Sequence, residues 1–205
     1  EAELSFRKAI ELKTDLADAH SNLGNILRDL GDLKEAELSQ RKAIELNPNL
    51  ASSHLNLGTV LKDLRKLQKA ELSFRKAIEL NPNFVGSHYN LGKILKDLGK
   101  SQEAELSYRK AIELNAHYTN AYFNLFHHYE QVNNLEKLKD SLKEFKDIVS
   151  INNELLIFNA RLNFRNKEHK VAKELIDNVS NQWIENSNRI QETIFWSFKA
   201  FIEDK

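Results

Sequence analysis

The sequence of 205 residues contains no cysteine and no methionine, and it has only two prolines. A chain without cysteine forms neither disulfides nor thiolate sites, which fits a reducing compartment, so we expect a cytoplasmic location. No apolar run reaches the roughly 18 residues of a membrane span, and no signal peptide precedes the first motif, so we expect no membrane partner. Because methionine is absent and the sequence opens inside a motif that recurs later, we expect a fragment of a longer protein.

An excess of charge of either sign is also lacking, since 30 lysines and arginines balance 30 aspartates and glutamates. A surface that binds nucleic acid needs a basic excess, so we expect no nucleic-acid partner. No phosphate-binding loop and no grouping of nucleophile, base and orienting residue is found, so we predict no catalytic site, no cofactor and no metal site. Three histidines that lie 34 residues apart are too distant to share a metal, and we expect them to pack against neighbouring helices: His20, His54 and His88.

What the sequence does contain is one segment that returns every 34 residues. AHSNLGNILRDLG at 19–31 recurs as SHLNLGTVLKDLR at 53–65 and SHYNLGKILKDLG at 87–99, and in part as AYFNLFHHYEQVN at 121–133. Each copy opens a unit with two apolar patterns of helical period, the first near 17–30 and the second near 34–46 in the first unit. A period of this length is the signature of a repeat architecture.

The period sets the expected organisation of the chain. The predicted segments are the second helix of a truncated unit at 1–16, three complete units at 17–50, 51–84 and 85–118, a degenerate unit at 119–152, and a truncated helical segment at 153–205. Helices of this length are marginal alone, so each unit needs its neighbours and the chain should form a solenoid. Small residues should mark the crossing of the two helices in each unit: Gly24 with Ala36, Gly58 with Ala70, and Gly92 with Ala104.

These residues resemble the tetratricopeptide repeat (TPR). The resemblance rests on small and apolar residues at fixed places in each unit, which in the first are Leu23, Gly24, Leu27, Gly31, Ala36, Ala43 and Pro48. It covers residues 1–118 strongly, 119–150 weakly, and the remainder in outline. It implies an all-α, right-handed superhelical solenoid of antiparallel helix pairs, with the first helix of each unit on a concave inner surface.

An asparagine stands at the same place in four units, directly before the buried leucine: Asn22, Asn56, Asn90 and Asn124. A carboxamide offers a donor and an acceptor side by side, which matches the main chain of an extended peptide. The row resembles one in the TPR region of O-linked N-acetylglucosamine transferase, and that resemblance implies that it holds the main chain of protein substrates. The sequences of the repeats are similar to those of bacterial arrays that are often fused to glycosyltransferase or sulfotransferase domains.

We therefore predict a module that binds a peptide or partner protein in a concave groove. The alternative is a non-catalytic arm that recruits substrates to a transferase domain outside these residues, and a third interpretation is an assembly scaffold. The groove residues predicted beside the four asparagines are Asn25, Lys62, Tyr89, Lys93, Lys96 and Phe123. Two alternative origins of the asparagine row stay open: hydrogen bonds between units, and recent duplication that preserved residues without a role.

The second helices carry a different pattern, AELSxRKAIEL, in which each arginine has a glutamate four places before it and another four places after it. We expect i, i+4 ion pairs on a solvated outer face.

Past residue 118 larger side chains replace the small residues of the repeat. Phe126 occupies the place of the glycine, and Leu138 and Phe145 occupy the places of two alanines. A final helix at 188–204 is apolar on most sides, and we expect it to be covered in the full-length protein or to form a homodimer.

Overall fold

The structure is a computed structural model that describes residues 2–148, 160, 161, 163, 167, 169–177 and 199. Within those residues all regular secondary structure is helical, with no strand, as the sequence predicts. The helices are α1 Ala2–Leu12, α2 Ala17–Asp29, α3 Leu33–Leu46, α4 Ala51–Asp63, α5 Leu67–Leu80, α6 Val85–Asp97, α7 Ser101–Leu114, α8 Thr119–Gln131, α9 Leu135–Ile148 and α10 His169–Asp177.

The chain divides into two compact units, at 1–121 and 122–205. In the first unit the helices pack as antiparallel pairs: α2 with α3, α4 with α5, and α6 with α7. The second helix of one pair then packs on the first helix of the next, and each first helix also contacts the first helix of the next pair, α2 with α4 and α4 with α6. The predicted all-α array of helix pairs is confirmed, and it places the first helices side by side.

The turn inside each pair closes the first helix with two backbone hydrogen bonds. The N–H of Asp32 donates to the carbonyl of Leu27 and the N–H of Gly31 donates to that of Arg28, which together form a Schellman motif. This motif needs a residue with positive φ, and Gly31 supplies it at 89°. Arg65 takes the equivalent place in the next pair at 61°, a conformation that costs a non-glycine residue free energy.

The turn between pairs is held from two sides. Asn47 accepts a hydrogen bond on its side-chain oxygen from the N–H of Asn49, and the same turn recurs at Asn81 and Asn115. His54 Nε2 then donates to the carbonyl of Pro48, at 3.0 Å, with equivalent bonds from His20 and His88. The prediction that the three histidines only pack against a helix was therefore incomplete, because each also fixes the loop that leads into its own helix.

The core of each pair consists of leucines and of alanines with no exposed surface, among them Ala36, Ala70 and Ala104. The glycines are also buried, but the residue that lies over each of them differs from the predicted alanine. A Cβ built on Gly24 would lie 2.6 Å from the side chain of Gln40, and those on Gly58 and Gly92 equally close to the rings of Phe74 and Tyr108. Each glycine thus admits a large side chain one helical turn beyond the alanine.

Ion pairs on the second helices connect neighbouring pairs as well as turns of one helix. The predicted contact four residues before each arginine is present, as in Glu71–Arg75 at 3.0 Å, but the glutamate four residues after it pairs instead with the adjacent lysine, as in Lys76–Glu79. Lys100 also bonds Glu71, whose side chain is only 10% exposed. Burial would raise the pKa of Glu71, but the hydrogen bonds from Lys100 and Arg75 outweigh it and lower that pKa. These ion pairs therefore link neighbouring helix pairs, in addition to lying on the solvent-exposed face of the second helices.

In the second unit, large buried side chains stand at the places where the first unit has glycine and alanine. Phe126, Leu138 and Phe145 are fully buried, and the ring of Phe145 lies 4.8 Å from that of Tyr122. Helices α8 and α9 lie within the segment 119–152, and α10 lies within the segment 153–205, which the sequence predicts to be helical. The predicted helix at 188–204, and with it the proposed dimer contact, falls outside the described residues except for Lys199.

The close approach over the glycines predicts opposite effects of two substitutions in α6. Gly92→Ala would place a Cβ 2.6 Å from the Tyr108 ring, and we expect it to destabilise the protein by about 1–3 kcal/mol. Gly86→Ala is the matched control, since its Cβ would lie 3.7 Å from Leu55, an ordinary contact. Alanine is the better helix former, so this variant should gain about 0.5–1 kcal/mol. Urea unfolding measures both, and equal effects would contradict the account.

Candidate functional site

The asparagines of the first unit do not share one environment. Asn22 is exposed and its side chain makes no hydrogen bond with the part of the chain that the structure describes. Asn56 is half-buried, and its Nδ2 donates to Ser21 Oγ of the preceding pair at 3.2 Å. Asn90 is also half-buried, and its Nδ2 donates to the carbonyl of Gly86 in its own helix at 2.9 Å. The bond between units, which the sequence left open as an alternative, therefore exists at Asn56.

The difference follows from the residue that precedes each asparagine. Ser21 offers a hydroxyl to Asn56, whereas the residue at the same place in the next pair is Leu55, which offers Asn90 no polar atom. Asn90 turns instead to a carbonyl one helical turn back, as short polar side chains in helices often do. In both cases only Nδ2 is engaged, so the carbonyl oxygen Oδ1 of each amide has no partner among the described residues.

Ser21 itself belongs to a buried polar network that centres on Gln40. The hydroxyl of Ser21 donates to Gln40 Oε1 at 3.1 Å, and Gln40 Nε2 donates to the carbonyl of Ser21 at 2.8 Å. The same Nε2 donates to Asn25 Oδ1 at 3.2 Å. Gln40 has no exposed surface, and a buried amide is tolerated only when its donors and acceptors are paired. Asn25, predicted as a groove residue, is thus partly used by the scaffold.

Aromatic residues replace this network in the third pair. Tyr108 stands where Gln40 stands, and its ring lies 6.2 Å from Tyr89, which in turn meets Tyr118 edge-on at 5.2 Å. The Tyr108 hydroxyl is buried without a hydrogen-bond partner in the described part of the chain. Burial, with a smaller contribution from Tyr89 and Asp97, raises the pKa of Tyr108 far above its ordinary value. Tyr89 is therefore anchored in an aromatic cluster.

Lys93 lies beside that cluster on the first-helix side. Its Nζ is 5.5 Å from the centre of the Tyr89 ring, a cation–π distance. Burial, together with the nearby charge of Lys62, lowers the pKa of Lys93, while Asp97 and Asp63 act in the opposite direction. Lys62 pairs with Asp63 at 3.2 Å. Lys93 thus contacts Tyr89, and Lys62 lies close enough to Lys93 for its charge to act on it.

The remaining predicted residues are Lys96, Phe123 and Asn124. Lys96 is half-buried and forms no ion pair with the described residues. Phe123 and Asn124 belong to the second unit, where both are half-buried in α8. Phe123 packs edge-on against Phe126 and Phe145, at 5.9 and 5.5 Å, so its ring serves the core of that unit.

A cleft of about 420 Å³ lies between α1 and α3, and residues of α2 also line it. Its apolar walls are Ile10, Leu23 and Leu38, and Arg7 and Glu35 form an ion pair of 2.7 Å at its edge.

Within the described residues no three histidine or acidic side chains are grouped so as to hold a metal. None of the described helices is long and apolar enough to cross a membrane.

Family models for the tetratricopeptide repeat match residues 17–50, 51–84 and 73–105. These segments are tetratricopeptide repeats. Solved structures share the TPR fold: Pseudomonas aeruginosa PilF is 20% identical, with a TM-score of 0.73 over 84% of this chain and 79% of that one. YrrB, a TPR protein with an unusual peptide-binding site, is 23% identical, with a TM-score of 0.67 over 84% and 89%. MamA is 23% identical, with a TM-score of 0.62 over 70% and 82%. No curated protein matches the sequence.

The sequence-based prediction missed two features of these TPR units, although the sequence contains a signal for each. Gln40 is the polar exception at a place where the next units have Phe74 and Tyr108, and Ser21 is the polar exception one place before an asparagine. The two exceptions occur in the same unit because they bond each other. Covariation between the units of one chain would have identified the pair.

The Ser21–Gln40 contact predicts non-additive substitutions. Ser21→Leu removes the hydroxyl that donates to Gln40 Oε1, and Gln40→Phe removes the acceptor of that hydroxyl, so each variant leaves a buried polar atom without its partner. We expect each to cost about 1–3 kcal/mol. The double variant recreates the Leu55–Phe74 pair of the next unit, so it should cost less than the sum of the single variants by about 0.5–3 kcal/mol. Urea unfolding of the four proteins measures this, and additivity within about 0.5 kcal/mol would rule out the coupling.

Proposed function

We propose that the first-helix side of the TPR units at 17–118 binds the main chain of an extended peptide or of an unfolded segment of a partner protein. The observation that carries the proposal is the state of the asparagine row. Asn22 presents its whole amide to solvent, and the Oδ1 atoms of Asn56 and Asn90 are unengaged among the described residues. A row of free amide oxygens, one per helix pair, can accept hydrogen bonds from successive peptide N–H groups.

The helix packing supports the proposal because successive first helices contact each other directly, α2 with α4 and α4 with α6. Equivalent side chains on these helices therefore recur at a regular interval along one side of the unit. A ligand whose own polar groups repeat along its length fits such a row, and the extended peptide main chain is the commonest example. YrrB, which shares the fold, is itself described as having a peptide-binding site.

Asparagine contacts alone make a weak site. A neutral hydrogen bond contributes about 0.5–1.5 kcal/mol, so four bonds to the unengaged groups, two at Asn22 and one each at Asn56 and Asn90, would give about 2–6 kcal/mol before costs. Ordering the peptide and loss of its translational freedom remove several kcal/mol of this. The expected Kd is on the order of millimolar to tens of micromolar. Side chains of the ligand add selectivity where Lys62, Lys93 and Lys96 offer charge and Tyr89 offers an aromatic edge.

A second proposal rests on the place of the asparagines in the repeat, which resembles the array of O-linked N-acetylglucosamine transferase. In that case the row recruits protein substrates to a glycosyltransferase or sulfotransferase domain outside residues 1–205. Binding of main chain without strong selectivity suits such a recruiting arm, since it accepts many substrates. The sequence of the complete gene distinguishes this proposal from a free-standing interaction module.

Main-chain recognition predicts a specific loss in an Asn22→Ala variant. We expect an unstructured peptide of glycine and serine, about 15 residues long, to shift the side-chain amide NMR signals of the row at millimolar concentration. Loss of one hydrogen bond should raise Kd about two- to tenfold, without a loss of stability, because Asn22 makes no side-chain bond to the described residues of the free protein.

Two controls make the experiment specific. Asn49→Ala removes an exposed asparagine from the turn between helix pairs, and it should leave Kd unchanged. A peptide of the same sequence with alternate amides N-methylated lacks the N–H donors and should bind more weakly. Equal binding of the two peptides, or equal effects of the two variants, would contradict the proposal.

A further inference from the structure

One exposed leucine stands at the same place in each second helix of the first unit. The four residues are Leu4, Leu38, Leu72 and Leu106, with 69%, 67%, 67% and 67% of their surface exposed. They lie 34 residues apart in α1, α3, α5 and α7, and we call them the leucine stripe. The next place in the series is Asp140 in α9 of the second unit, so the stripe ends where the regular repeat ends.

The helical period places each leucine at the centre of the outward face of its helix. In α3, Lys42 lies one turn after Leu38 and Glu45 two turns after it, and these two residues form an ion pair of 2.8 Å. Lys76–Glu79 and Lys110–Glu113 repeat the arrangement in α5 and α7. The face therefore presents leucine, cation and anion in fixed order, with no net charge.

The same side of the unit also contains a place that accepts an apolar side chain. The cleft of about 420 Å³ between α1 and α3 has Ile10, Leu23 and Leu38 in its walls. It is flanked by charges of both signs, including Arg7 and Glu35. Projecting leucines and an apolar cleft on one face are the two complementary halves of a packed contact.

We propose that the leucine stripe is a contact between two copies of this chain, related by a twofold axis. A twofold contact requires a self-complementary surface, and this face supplies projecting leucines with a receiving cleft, and cations with anions. A second copy also has the same 34-residue interval, so several leucines of the stripe meet equivalent partners at once. A partner with a net positive or net negative surface would find no excess of opposite charge on this face.

The contact area is small, because it consists of a few leucines and the ion pairs around them. Stable dimers bury about 1,200–2,000 Å² in total, so we place this contact among the weak and transient ones. The expected behaviour is a reversible equilibrium between monomer and dimer, in which the mass-average rises from 23.8 kDa towards twice that value as the concentration increases. The contact lies on the second-helix side and does not depend on the peptide-binding proposal.

Sedimentation equilibrium of the whole chain between about 10 µM and 1 mM, the range in which weak contacts associate, tests the proposal. The test variant combines Leu38→Gln and Leu72→Gln, which keep size and helix propensity but remove the apolar surface. The matched control is Leu30→Gln, because Leu30 is equally exposed, at 67%, but lies at the C-terminal end of α2. Circular dichroism checks that all three proteins keep the same helix content.

We expect the unmodified chain and Leu30→Gln to form dimers with equal Kd, and the double variant to lose at least about tenfold in affinity. A monomer at every concentration overturns the proposal. A dimer that survives the double variant also overturns it, because the contact then lies on another surface, such as the segment 188–204. Equal weakening by Leu30→Gln would attribute the effect to general apolar exposure and would likewise overturn it.

Discussion

The close approach of the two helices in each pair is the contact on which the rest of the first unit depends. A glycine in the first helix leaves room for a large side chain from the second, and a Cβ at that place would lie 2.6 Å from Gln40, Phe74 or Tyr108. Because the large residue covers the glycine, the alanines at Ala36, Ala70 and Ala104 can lose all their exposed surface. The pair then buries enough apolar surface to hold helices that would be marginal alone.

The residue over the glycine also decides what the neighbouring polar groups do. Gln40 needs buried partners and finds them in Ser21 and Asn25, and Ser21 then accepts a bond from Asn56 of the next pair. Where Phe74 replaces Gln40, Leu55 replaces Ser21 and the chain of polar contacts stops, so that Asn90 bonds its own helix. One residue type thus determines whether an asparagine links two repeats or stays within one. Asn22, the first of the row, is left to solvent.

The parts of the structure that follow from periodicity could be predicted from the sequence. The 34-residue interval, the helix bounds and the glutamate–arginine pairs at i, i+4 depend on local spacing, which a single sequence displays directly. The particular partner of each side chain was predicted less well. The partner of Gly24 is Gln40 rather than Ala36, and Glu79 pairs with Lys76 rather than with Arg75, because small differences in side-chain direction select among several residues at similar spacing.

The central claim is that scaffold contacts engage Gln40 and Asn56 but not Asn22, and hydrogen exchange of the side-chain amide protons, followed by NMR, tests it most directly. The account predicts the slowest exchange at Gln40 Nε2, intermediate exchange at Asn56 and Asn90, and exchange at Asn22 as fast as in a free amide. Exchange at Asn22 as slow as at Asn56, or exchange at Gln40 as fast as at Asn22, would contradict it.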